Sequence, residues 1–223
     1  MSKILTLGDR TFKDSFDIES EAKTKGVSLS GEEAPYNLRL FLKGELPLTD
    51  AQRISQISAT AFEFDDGSKP EEVADFCMHD ANYVFTINYS TQIIGYANGW
   101  IIGEPPDVLH HFGGAAIFKE HQNKGLYSLL NKLRMVVEPA QTIQTRTGNP
   151  KVVSSLQSLA KLSGYTFYPN GEVASDYIKE LIDWYYVNSL PIKNGLVNTS
   201  TLVWSKCYPD GTDGQLVYLI KEF

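Results

Sequence analysis

Residues 109–133 read LHHFGGAAIFKEHQNKGLYSLLNKL, and this stretch decides the fold. The apolar run from Leu109 to Ile117 predicts a strand. Leu126, Leu129, Leu130 and Leu133 recur at the spacing that puts them on one buried helix face. Between them the turn Gln122-Asn123-Lys124-Gly125 leads directly into the first turn of that helix. Backbone N–H groups at a helix start lack partners inside the helix and lie at the positive end of its dipole, so they favour a phosphate or another anion. Gly125 lets such a ligand approach the backbone without a Cβ in the way.

Working outward, residues 36–42 (YNLRLFL) alternate as a strand with one buried face. Thr49 or Asp50 then offers a cap for a helix that carries Ile54, Ile57 and Ala61 inward. Pro70-Glu71-Glu72 suits the first turn of a second helix. Residues 82–89 and 92–102 read as a hairpin, with Tyr83, Phe85, Ile87 and Tyr89 alternating along its first strand. Residues 142–146 predict a strand, and residues 150–163 a helix behind Asn149-Pro150, a cap followed by a first-position proline.

The segment from Gln122 to Tyr127 resembles the pyrophosphate-binding motif of the GCN5-related N-acetyltransferases (GNAT superfamily). That pattern is Arg or Gln, two variable residues, Gly, one variable residue, and Gly or Ala, between a strand and a helix. Gln122 and Gly125 match, and Tyr127 stands where the small residue is usual. The order strand, two helices, three strands, helix, strand, helix is also the family's, over residues 36–168. A second local likeness is Asn149 after the later strand, with a helix closing on Gly164-Tyr165. The family often has a tyrosine four residues before that glycine as proton donor to the departing thiolate, and here the position is Ala160.

The resemblance implies an α/β (α+β) fold of the acyl-CoA N-acyltransferase type, a central mixed sheet flanked by helices. It implies an N-terminal arm (residues 1–35), a core (36–168) and a C-terminal helix with a final strand pair completing the sheet (169–223). Acetyl-CoA would lie in a V-shaped opening between the parallel strands 109–117 and 142–146. The backbone of Gln122, Asn123, Lys124, Gly125, Leu126 and Tyr127 would hold its pyrophosphate. The strand edge at Ile117 and Phe118 would pair with the pantetheine arm, and Asn149 would touch the cofactor, although capping is the favoured role for that residue.

A primary amine attacking the thioester needs a base within hydrogen-bond reach or one water away. Glu104, Asp107, His110 and His111 lie at or before the central strand, where family members often place it. His110 and His111 point to opposite faces of a strand, so at most one faces the cleft.

Composition bounds the rest. A chain of 223 residues buries one good core with room for extensions. It has no run of about eighteen apolar residues, and its first ten residues lack the apolar core of a secretion signal. Cys77 and Cys207 are the only cysteines, too few for a disulfide framework or zinc cluster, which points to a reducing compartment and no metal. The net charge of −7 falls entirely in residues 1–90, which hold 9 basic and 16 acidic side chains. That balance disfavours nucleic acid as a partner; it reads first as a solvated acidic surface, and otherwise suits an amine substrate or a basic partner.

Residues 1–33 are polar and read as an extended or partly disordered arm. Residues 175–186 read as an aromatic-rich helix, and 201–206 and 215–221 as two strands. Two functions follow. One is a cytoplasmic acetyl-CoA-dependent N-acetyltransferase acting on a small-molecule or protein amine. The other is a degenerate GNAT-fold module that binds other protein chains through its extensions; this chain resembles the degenerate acetyltransferase-like domains known among bacteriophage proteins, including virion components.

Overall fold

The computed structural model describes residues 3–62, 70–103, 108–147, 149–169, 176, 179–180, 196–198, 203–205 and 214–221. The chain divides into two units, Met1–Ala140 and Gln141–Phe223.

The first unit opens with an antiparallel hairpin, β1 (Lys3–Leu7) and β2 (Arg10–Asp14), followed by α1 (Ile18–Thr24) and the two-residue β3 (Val27–Ser28). Next come β4 (Tyr36–Leu42), α2 (Leu48–Phe62), α3 (Pro70–His79), β5 (Tyr83–Tyr89), β6 (Gln92–Ile102), β7 (Leu109–Ile117) and α4 (Leu126–Val137). Strands run in the order β7-β6-β5-β4-β3. Only the β3–β4 pairing is parallel, so the sheet is mixed.

Both faces of this sheet are covered. Tyr83, Phe85 and Ile87 pack with α4, α1 and the β1–β2 hairpin in one apolar cluster. Val84, Tyr96 and Ala116 pack with Ile54 and Ile57 of α2 and Cys77 of α3 in the other. β5 therefore buries every residue from Tyr83 to Ile87, where the sequence predicts alternation. A strand between two helical layers has no solvent face to alternate toward.

Residues 3–28 depart from the reading of an extended or partly disordered arm. Leu5, Leu7, Ile18 and Ala22 are each at most 2% exposed and join Leu126, Leu129, Leu130 and Leu133 of α4 in one cluster. Val27 belongs to the same cluster and Phe12 and Phe16 pack against it, which seats a segment otherwise rich in charged residues. Another departure is at α2, which begins at Leu48, ahead of the predicted caps Thr49 and Asp50.

The second unit contains β8 (Thr142–Thr147), α5 (Pro150–Ser163), β9 (Thr166–Tyr168), β10 (Leu196–Asn198), β11 (Val203–Ser205) and β12 (Gly214–Ile220). β12 runs antiparallel to β8, β9 and β11, and β10 is antiparallel to β11. α5 ends on Gly164 in the left-handed conformation, with the Tyr165 N–H bonded to the Ala160 carbonyl. Most of the predicted 175–186 helix lies outside the described residues. From β4 to α5 the chain order is strand, two helices, three strands, helix, strand, helix, the order expected from the sequence.

No described helix is long and apolar enough to cross a membrane. Among the described residues no group of three or more His, Cys, Asp or Glu side chains is placed to hold a metal ion.

Candidate functional site

β7 delivers the chain to Phe118, a single 3-10 turn covers Lys119–His121, and α4 starts at Leu126. Three contacts shape the turn between them. The Gln122 amide donates to the Ile117 carbonyl at 2.8 Å, tying the turn to the end of β7. Asn123 takes a positive φ of 60°. Lys124 donates to the Tyr36 hydroxyl at 2.7 Å, and that hydroxyl also lies 3.1 Å from His121 Nδ1.

Gly125 is the N-cap of α4, left-handed at φ 73°, with no side chain capping the helix start. Its carbonyl accepts the first helical bond from the Leu129 N–H at 3.1 Å. The N–H groups ahead of that bond carry the positive end of the helix dipole. A cation comes from Lys25, the C-cap residue of α1. Lys25 Nζ would stand 2.6 Å from a Cβ placed on Gly125, while pairing with Glu21 at 3.5 Å. A glycine in the left-handed region, an uncapped helix start and an ammonium alongside form a set of donors that fits a phosphate group.

The pantetheine-side residues are partly committed to the protein. Phe118 N–H donates to the Ile94 carbonyl at 2.9 Å, its ring lies under Arg53 at 4.9 Å, and the Ile117 carbonyl accepts from Gln122. Leu126 is 1% exposed and belongs to the core. Tyr127 packs against that same core, its hydroxyl pKa raised by burial.

The two histidines do not flank an open cleft. His110 is wholly buried, with Nε2 2.6 Å from the Tyr83 hydroxyl. Burial, and then the positive charge of Arg134, push its pKa down to about 3, so it is neutral near pH 7. His111 is 6% exposed, its ring centroid 3.9 Å from that of Trp100. Glu104 and Asp107 lie outside the described residues. Asn149, in the second unit, accepts from the Lys151 N–H at 3.0 Å and so caps α5. Ala160 is buried at 1% exposure.

Two residues near this site escaped the sequence reading. Lys25 is a hundred positions from the glycine it overlies, and nothing local announces the contact. Arg134 is 1% exposed, with its guanidinium on the Gly114 carbonyl at 2.9 Å. Its signal is a polar row, Tyr127, Asn131, Arg134 and Glu138, at helical spacing on a face of α4 away from the leucines.

No family model and no curated protein sequence matches the chain. Among solved structures, the chain is similar to diaminobutyrate acetyltransferase from Paenibacillus lautus, in complex with L-2,4-diaminobutyric acid and coenzyme A. Identity is 12% and the TM-score 0.47, over 82% of this chain and 94% of that one. It is also similar to the ribosomal-protein-S18-alanine N-acetyltransferase of Escherichia coli, at 15% identity and TM-score 0.48, over 83% and 96%. A third is an aminoglycoside acetyltransferase from an uncultured soil sample, in complex with sisomicin, at 11% identity and TM-score 0.39, over 74% and 93%.

Proposed function

We propose that this protein is an acyl-CoA-dependent N-acetyltransferase of the GNAT type, transferring an acetyl group to a primary amine. The observation that carries the reading is the strand–turn–helix of β7, Gly125 and α4. There an uncapped helix start, a left-handed glycine and the Lys25 ammonium converge.

Backbone N–H groups from Gly125 onward, with Lys25, would hold the pyrophosphate of acetyl-CoA. That cofactor supplies an acetyl group activated as a thioester. Lys25 would exchange its Glu21 carboxylate for phosphate oxygens, a gain in charge because a pyrophosphate carries more than one negative charge. The backbone of β7 would align the acyl group, with N–H donors aimed at the oxygen where negative charge develops. His110 is a poor base for the reaction, because it is enclosed, its Nε2 is held by the Tyr83 hydroxyl, and burial lowers its basicity. The base is instead sought at Glu104 and Asp107, or in the amine itself arriving unprotonated. A second reading, a non-catalytic module of the same fold, draws support from the buried His110 and from Ala160 at the usual donor position.

The test is titration calorimetry of the full chain with acetyl-CoA, repeated with Gly125→Glu. Micromolar binding that disappears in the variant supports the transferase. No heat from a folded wild type favours the non-catalytic module.

A further inference from the structure

α4 carries a guanidinium in the interior that bonds to backbone carbonyls. Arg134 is 1% exposed, and among the described residues no acidic side chain comes within 4.0 Å of it. Its Nη2 donates to the Gly114 carbonyl at 2.9 Å and approaches the Gly113 carbonyl at 3.5 Å. The guanidinium also lies over the Phe112 ring, 4.8 Å from its centroid, while Nε has no partner. Holding an unpaired guanidinium in the interior costs several kcal/mol, so its position on these two carbonyls needs a reason.

Those carbonyls belong to an irregularity in β7. Ala97 pairs with Ala115 and Gly99 with Phe112, so Asn98 of β6 faces two residues, Gly113 and Gly114. This is a β-bulge, which breaks the ladder and leaves an extra residue unpaired. A side chain on either bulge residue would meet a neighbour. A Cβ on Gly113 would lie 2.1 Å from Asn98 Oδ1, and one on Gly114 2.9 Å from the Tyr96 hydroxyl. Asn98 is itself held, donating to Cys77 Sγ at 3.1 Å.

A peptide carbonyl that accepts from a cation makes the N–H of its own peptide unit a stronger donor, since hydrogen bonds in a chain polarise one another. The units whose carbonyls Arg134 touches end in the N–H groups of Gly114 and Ala115. We propose that Arg134 is a positioning residue that holds the Gly113–Gly114 bulge of β7 and strengthens these two N–H donors for the oxygen of a bound acyl group. This assignment rests on the transferase reading for its ligand, while the polarisation is a property of the protein alone.

The experiment uses the full chain with amide resonances assigned, in wild type, Arg134→Met and Arg134→Lys. Methionine fills similar space without charge, and buried ionic groups are often replaced this way without loss of stability. Without ligand, the Gly114 and Ala115 amide protons should move upfield in Arg134→Met and partly recover in Arg134→Lys. With acetyl-CoA labelled with carbon-13 at the thioester carbonyl, wild type should shift that carbon downfield on binding. Arg134→Met should lose more than half of the shift while binding desulfo-coenzyme A within twofold of wild type.

Unchanged amide and carbonyl shifts in a folded Arg134→Met would show that Arg134 only fills space, and would overturn the proposal. If Arg134→Met does not fold, the wild type against Arg134→Lys comparison decides by the same two shifts. Should wild type bind neither coenzyme A analogue, the transferase reading fails and the acyl role with it. The ligand-free amide shifts would then still decide the polarisation.

Discussion

Lys25 lies over Gly125. Its ammonium nitrogen would be 2.6 Å from a Cβ on that glycine, the nearest atom such a side chain would meet. The residue that closes α1 thus reaches a turn built a hundred positions later, and it brings a cation to the helix start proposed to bind the cofactor. Replacing Lys25 with Met should weaken acetyl-CoA binding about fivefold at low salt, roughly 1 kcal/mol. The difference should shrink as ionic strength rises, and calorimetry across a salt series measures both effects.

Gly125→Ala should destabilise the protein by about 1 kcal/mol, because φ is 73° there and a Cβ in that region is strained. The flexible end of Lys25 can move aside, so adding Lys25→Ala should not relieve the loss. Denaturant unfolding of the two single variants and the double gives the coupling, expected below about 0.5 kcal/mol.

Tyr127→Ala restores the small residue of the GNAT pattern at the cost of core packing. A loss of about 2 kcal/mol in unfolding free energy is expected. Acetyl-CoA affinity should stay within twofold, because the ring packs inward. A large gain in affinity would instead mean that the ring occupies cofactor space.

His110 makes stability depend on pH. Folded, its pKa is lowered to about 3, against about 6.5 for an unfolded histidine. Above pH 6.5 both states are neutral there and the residue contributes no pH dependence. Below pH 6.5 the unfolded chain binds the proton and the folded chain does not. Stability should therefore fall with falling pH, by up to about 1.4 kcal/mol per pH unit, until the folded pKa is reached. The groups around the ring are Tyr83 of β5, Arg134 and Glu138 at the α4 end, and His111 beside it. Urea unfolding from pH 7 to pH 4 should show a shallower slope in His110→Gln.

Ile18→Ala tests the N-terminal segment. Its side chain has no exposure, so truncation should cost about 3 kcal/mol, whereas a loose arm would tolerate it with no measurable change.

Periodicity made the helices and central strands legible. β4, α5 and the β5–β6 hairpin fall within a residue or two of expectation, because each carries its own alternation, cap or turn. The first thirty residues were misread because their buried apolar side chains are thinly spread among charged ones, and the partners are leucines of α4. In the candidate site, Gly125 was legible because the strand, turn and helix around it are contiguous. The enclosure of His110 was not, since Tyr83, Phe112 and Arg134 close around it from three different elements. Arg134 escaped for a related reason. Its charge marks it as a surface residue, while its partners inside, the Gly114 carbonyl and the Phe112 ring, lie on another element.

The docking of α1 onto α4 also orders events during synthesis. Glu21 and its partner Lys132 are 111 positions apart, and Leu5, Leu7 and Ile18 share one cluster with the α4 leucines. At about 5–20 residues per second, a ribosome needs roughly 5–20 s to make the intervening chain. Throughout that interval the first apolar residues have no native neighbours on α4. The nascent protein must therefore carry residues 5–22 without these partners until α4 has emerged, and the segment left waiting is the same one that later delivers Lys25 to the turn.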